Sequence, residues 1–371
     1  MPGAIDIADW LFAQPEFDEV VRPSGVRFVG LCNQTLVGFD TEKSAVERTR
    51  SLSPKFKLQL PNDFPIDEID VEFLPLPDEP PEDDALVQSV VEKAKSSLFY
   101  SNSDLVVVSF DVSKKLIRYI HSEISHYFRI DPNAPPKEPS VGAWPYMIAL
   151  RYLASFVVKH LAVYSNICKV GSFNLQEGYV SVGSEISETR SYSSPAAYIS
   201  QIETERGIRL LRELDFKKNW EFYANLKGTF TGNPKSSIEI AVSNLTDLFD
   251  ESYDQSGARN LIWGFAGLEA LLADSESSIG SQLRQKLVAL FGNQVDISDF
   301  EKEISDIYRF RSKIIHGNAK SGSVLKNLSG NFFGGPDEVK ETRVAIWLLV
   351  AVMQYCFQNH QTELKFKTVV L

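Results

Sequence analysis

From residue 236 to residue 358 apolar positions recur at three- and four-residue spacing, the signature of amphipathic helices. The pattern predicts helices at about 236–250, 258–273, 279–291, 299–316 and 338–358, separated by short polar or glycine-containing joints. That succession implies an all-α bundle over residues 235–360. The preceding chain is mixed. A strand or hairpin is expected at 26–37, a helix at 85–98, a compact β-branched strand at 105–110 and a helix at 112–128. A long apolar helix is expected at 142–165, strand-like alternation around Gly171, Gly178 and Gly183, and another helix at 196–213. The expected fold class is therefore α+β, with a mixed α/β N-terminal region followed by the helical bundle.

Breaks in the pattern suggest three regions. DPNAPPKEPS (131–140) stops any regular element, and GTFTGNPKSS (228–237) is a second interruption. The regions are then 1–130, 141–230 and 235–360. Residues 62–84 hold ten acidic residues and five prolines with no Lys or Arg, so they read as an extended, turn-rich, solvated loop or edge.

Composition narrows the function. A chain of 371 residues with 43 % hydrophobic residues can bury ample core. A net charge of −11 opposes broad nonspecific affinity for polyanions. Cys32, Cys168 and Cys356 are widely spaced, which fits neither a disulfide framework nor a metal finger; a reducing cytosol suits them. The opening MPGAIDIADW lacks a basic segment followed by an apolar run, so no secretory signal is expected. The apolar stretch 344–357 is too short for a bilayer and reads as a buried helix, so no membrane association is expected and a cytoplasmic location fits.

Most candidate chemistry is absent. His121 and His126 in HSEISH are five residues apart, not the four that put two zinc ligands on one helix face. His160 and His360 read as helix-edge residues. There is no Walker A loop, GxGxxG or GxSxG. No metal and no cofactor are expected.

DFEKEISDIYRFRSKIIHGN (299–318) is different. At about 100° per residue, Phe300, Ile304, Ile307, Ile314 and Ile315 form one stripe about 100° wide. Arg311 falls inside it, where patterning calls for an aliphatic residue. A guanidinium there is costly unless paired or set against a polar site. Residues 309–326 also carry Arg309, Arg311, Lys313, Lys320 and Lys326 with no acid, a local basic patch suited to phosphate. Arg311 and His316 lie five residues apart, about 140° around a continuous helix. They would meet only if the helix ends early, with Gly317 as its terminator, or if a second subunit completes the site. Arg309 shares the face of His316 and is the rival arginine.

Arg311-Ser-Lys-Ile-Ile-His316-Gly resembles the RxxxxH motif of HEPN domains. With GLEALLA (267–273) on an earlier helix, RFRSKIIHG is most similar to the Apea-like HEPN branch found in bacterial anti-phage proteins. The resemblance covers about residues 235–360. It implies a helical bundle that pairs as a homodimer, sets the motifs of both chains in one cleft and cleaves RNA without metal. It further implies that the ribose 2′-OH attacks its own phosphate, leaving a 2′,3′-cyclic phosphate. On that basis Arg311 would hold the phosphate and stabilise the transition state. His316 would act as general acid or base, or orient the 2′-OH. Ser312 stands where many HEPN families have Asn, Asp or His. Glu269, at the border of its helix's apolar face, could pair with Arg311 and position it.

Two functions follow from the resemblance. One is a metal-independent endoribonuclease, a toxin-like effector of abortive infection in antiviral defence, with an RNA substrate and a phage-derived trigger or regulatory partner. The other is a HEPN-type module that binds RNA or protein, or assembles, without cutting.

Overall fold

A computed structural model of the chain describes residues 25–33, 55–62, 64–75, 77, 79, 82–95, 103–128, 144–168, 174–182, 185–188, 202–203, 207–249, 257–275, 277–316 and 336–366. The expected linker at 131–140, half of the helix expected at 196–213 (residues 196–201 and 204–206), and Gly317, Lys320 and Lys326 lie outside these residues. The chain divides into two compact units, one of 1–33, 46–161 and 175–191, the other of 34–45, 162–174 and 192–371. The region 141–230 is thus shared between them.

The first unit holds a sheet of six strands among the described residues: β1 (Val26–Asn33), β2 (Lys55–Gln59), β3 (Glu68–Pro75), β4 (Ser103–Phe110), β5 (Asn174–Val182) and β6 (Glu185–Glu188). Their order across the sheet is β2-β3-β4-β1-β5-β6. β1 and β4 are antiparallel with Val26 opposite Phe110, and β3 and β4 with Val71 opposite Val108. Helix α1 (Ala85–Lys95) starts at Asp84, whose Oδ1 accepts the Val87 N–H at 3.1 Å while its Oδ2 pairs with Arg27 at 2.6 Å. Leu86, Val87, Val90 and Val91 then bury one helix face against Val29, Leu105 and Val107.

The acidic stretch 62–84 is turn-rich and partly exposed at its described ends, but its middle is not a solvated loop or edge. It supplies β3, an interior strand paired on both sides. Alternation explains this: Ile69 and Val71 are buried, while Glu68, Asp70 and Glu72 meet Lys55 and Lys57 on β2. The acids are one rung of a charge ladder, a pattern that net charge alone hides.

Helix α2 (Lys114–Phe128) carries HSEISH, and His121 Nδ1 lies 2.8 Å from the Tyr146 hydroxyl on α3 (Trp144–Cys168). His160 on α3 is not an edge residue: it is 1 % exposed and lies against Phe156, ring centroids 4.4 Å apart. Burial first, then the adjacent Lys159 charge, lowers its pKa to about 3, so it is neutral at pH 7. Among the described residues Pro145–Cys168 is the one helix long and apolar enough to cross a membrane, a longer candidate than 344–357. Half of its most apolar window is buried inside the protein, and Val157 through Cys168 are all buried, as in a core helix.

In the second unit the helix expected at 196–213 does not continue past Gly207, which has φ +63°. Residues 208–215 are irregular, and side chains provide the backbone bonds of residues 210–212. Glu203 Oε1 accepts the N–H groups of Leu210 and Leu211 at 3.0 and 2.8 Å. The Gln354 amide takes both the N–H and the C=O of Arg212, at 2.9 and 2.8 Å. Those bonds substitute for a helical ladder. The chain then forms α4 (Phe216–Ala224), a short α5 (Lys227–Thr231) inside the expected interruption, α6 (Ser237–Phe249), α7 (Gly257–Leu272), α8 (Ile279–Phe291), α9 (Ile297–Ile315) and α10 (Pro336–Gln358). From residue 237 onward the described residues contain no strand.

Helix α7 packs against α6, α8, α9 and α10. A Cβ on Gly264 would lie 3.4 Å from Ala345, and one on Gly267 only 2.8 Å from Leu349, so both glycines admit α10 closely. Phe265 and Glu269, one turn apart, serve α9 instead.

Candidate functional site

Helix α9 opens with Asp296, whose carboxylate accepts the Asp299 N–H at 3.0 Å. Phe300, Ile304 and Ile307 are buried, which fixes the helix's rotation. Arg311 continues that face at the next four-residue step. The rest of the expected stripe does not close over: Ile314 is half-buried and Ile315 is 44 % exposed. Helix α9 therefore buries its first three turns and leaves its last one open.

The expected partner of Arg311 is in place. Its Nη2 lies 3.0 Å from Glu269 Oε1 and 3.1 Å from Oε2, with the two side chains 21 % and 19 % exposed. One guanidinium nitrogen thus meets both carboxylate oxygens, and Arg311 Nε is buried without a hydrogen-bond partner among the described residues. Burial raises the Glu269 pKa from its ordinary value, and Arg311 offsets that only partly. The guanidinium carbon also sits 5.8 Å from the centre of the Tyr308 ring. That ring meets Phe265 of α7 edge-on at 6.1 Å and leaves no room for a Cβ on Gly280 of α8, which would fall 2.8 Å from Tyr308 Cδ1. Three helices therefore converge on Tyr308 and Arg311.

The other expected residues are spread along the last turns of α9. Arg309 is exposed and its charge is taken by Asp306, three residues earlier. Lys313 is exposed and Ser312 half-buried. The described part of the basic patch is thus largely neutralised: two of its three cations have acidic partners. His316 is exposed and caps α9, with φ −85° and ψ 8° and its N–H bonded to the Ser312 carbonyl at 3.1 Å. It still takes the helical hydrogen bond, so it stays about 140° around the helix from Arg311. No hydrogen bond or ion pair joins the two among the described residues. Tyr308 and Gly280 were not expected from the sequence. Tyr308 could have been found as the residue three before Arg311 on the same face; nothing in the spacing points to Gly280.

Other chemistry is poorly supported. No group of three His, Cys, Asp or Glu residues close enough to hold a metal occurs among the described residues. Cys168 and Cys356 are buried and free, and burial pushes each thiol up to about 12, which suits a core residue and not a nucleophile. Comparisons with family models, with characterised proteins and with solved structures gave no match.

Proposed function

We propose that the helical part of the second unit is a HEPN-type endoribonuclease, with Arg311 binding the scissile phosphate and His316 transferring a proton. The observation that carries it is Arg311 itself. A guanidinium occupies the fourth position of a buried helix face, about a fifth exposed, with its Nε unpartnered among the described residues. Glu269 engages Nη2 alone, so the exposed part of the guanidinium keeps donors of fixed geometry for an oxyanion. The resemblance of RFRSKIIHG to the HEPN motif supplies the reaction class.

In that reaction the ribose 2′-oxygen attacks phosphorus and gives up its proton to a base. The bond from phosphorus to the 5′-oxygen breaks, and the leaving oxygen takes a proton. The products are a 2′,3′-cyclic phosphate and a 5′-hydroxyl. Arg311 stabilises the charge on the pentavalent centre, and His316 serves as acid or base. Because the two lie on different sides of α9, the proposal pairs two copies of the chain, so that the cleft uses groups from both. The open last turn, with Ile315 exposed beside the motif, suits such an apposition. The cellular setting that accompanies the resemblance is a cytoplasmic, toxin-like effector of anti-phage defence.

A second function is favoured by one observation. The Glu269–Arg311 pair closes within a single chain, as it would in a HEPN-type module that binds or assembles without cutting. Incubation of purified protein with RNA in EDTA separates the two. The nuclease produces fragments ending in cyclic or 3′-phosphate, and His316→Ala does not. Equal cleavage by wild type and His316→Ala, or cleavage that needs Mg²⁺, would overturn the nuclease.

A further inference from the structure

Beside Arg311 stands a second polar group with no assigned task, the hydroxyl of Tyr308. Its ring is held from three sides. Phe265 meets it edge-on at 6.1 Å. Gly280 approaches so closely that a Cβ there would fall 2.8 Å from Cδ1 and 2.9 Å from Cε1. The Arg311 guanidinium carbon lies 5.8 Å from the ring centre. A ring clamped in this way has little rotamer freedom left to lose on binding. Tyr308 is nevertheless only half-buried. Among the described residues its hydroxyl has no hydrogen-bond partner, and it is not among the buried polar atoms left unsatisfied, so it reaches solvent. The hydroxyl presents a hydrogen-bond donor to solvent at the edge of the packed ring. Phenylalanine would fill the same space.

We infer that Tyr308 is a substrate-binding residue that donates its phenolic hydrogen to the phosphodiester held by Arg311. This rests on the proposed ribonuclease function and adds a neutral donor to its cationic one. The two residues are three apart on α9, so their side chains project from one face and converge on one anion. Glu269 occupies Nη2 of the guanidinium, leaving Arg311 with a partial set of donors for a phosphate that has two non-bridging oxygens. A second donor from Tyr308 makes up that deficit. The Gly280 contact sets the ring, and through it the direction of the hydroxyl.

The test uses Tyr308→Phe in the full chain and a short mixed-sequence 2′-O-methyl RNA that binds but cannot be cleaved. The variant keeps the ring and loses one oxygen. Affinity is expected to fall about tenfold, the usual effect of removing one hydrogen bond to a charged group. The melting temperature should not change. The salt dependence of binding should also keep its slope, because no charge is removed, whereas Arg311→Ala should flatten it. Wild-type affinity in Tyr308→Phe, with Arg311→Ala weakened and its salt slope reduced, overturns the role of Tyr308 and leaves the ribonuclease standing. A lowered melting temperature in Tyr308→Phe would make the hydroxyl structural and likewise overturn the inference. No binding of this RNA by wild type would overturn both.

Discussion

Removing either member of the Glu269–Arg311 pair should have unequal consequences, and the structure sets the sign. At 3.0 Å and an effective dielectric of about 20, the attraction is on the order of 5 kcal/mol. Yet Glu269 keeps a raised pKa, because burial of its carboxylate outweighs the arginine beside it. The ionised carboxyl is therefore a net cost to the fold despite its partner. Glu269→Gln removes that cost together with the attraction, so its effect should be small. Arg311→Gln removes the attraction and leaves the burial, so the Glu269 pKa rises further. A carboxyl whose pKa is raised on folding contributes stability below its unfolded value, about 4.3, and loses it as pH rises through the folded value. The loss in Arg311→Gln should therefore be larger near pH 8 than near pH 5. Urea unfolding of wild type and both variants at the two pH values measures this. Equal losses in the two variants, or a loss in Arg311→Gln that shrinks as pH rises, would refute the reasoning.

Arg311→Lys should not restore cleavage, with a loss on the order of 10²-fold, because a lysine offers a point charge without the fork. Arg309→Ala should be far milder, since Asp306 already holds that charge; an RNA cleavage time course with both variants decides which arginine is used. Mixing wild type with an excess of an Arg311→Ala, His316→Ala double variant should depress activity per wild-type chain through mixed dimers. Unchanged activity in that mixture, from a protein that remains monomeric with RNA present, would rule out the shared cleft.

Helices from residue 237 onward were legible because each has its own apolar period and a short joint. Boundaries at 279–291 agree to the residue, and the others within two. Two failures share a physical cause, namely bonds made far along the chain. The stretch after Gly207 has helical composition, but Glu203 and Gln354 bind its backbone, and Gln354 is 142 residues from Arg212. β3 was obscured by its acids, which are satisfied by Lys55 and Lys57 across a register that no local window contains. His160 is the same kind of case: a polar side chain on an apolar helix reads as an edge residue until the packing around Phe156 is seen.

The site divides along similar lines. Arg311 stood out because it breaks the helix pattern, and such breaks are visible locally. Its pairing with Glu269 was legible too, since a carboxylate at the border of the α7 apolar face has few other ways to be satisfied. Tyr308 breaks no rule: a half-buried tyrosine on a helix is ordinary until Gly280, 28 residues away, is found against its ring. The relation of Arg311 to His316 was the sharpest question that spacing could pose, and the cap geometry narrows it. An early end to α9 would have swung His316 toward Arg311. Instead His316 keeps the hydrogen bond to Ser312, four residues back, and a backbone near the helical region. Turning the histidine by about 140° would mean breaking that bond and unwinding the last turn. The proposed dimer requires neither, because a second copy would supply its own Arg311 and His316 while each α9 keeps its last turn. Within the proposed function, then, the geometry of one helix end favours two subunits over a rearranged one.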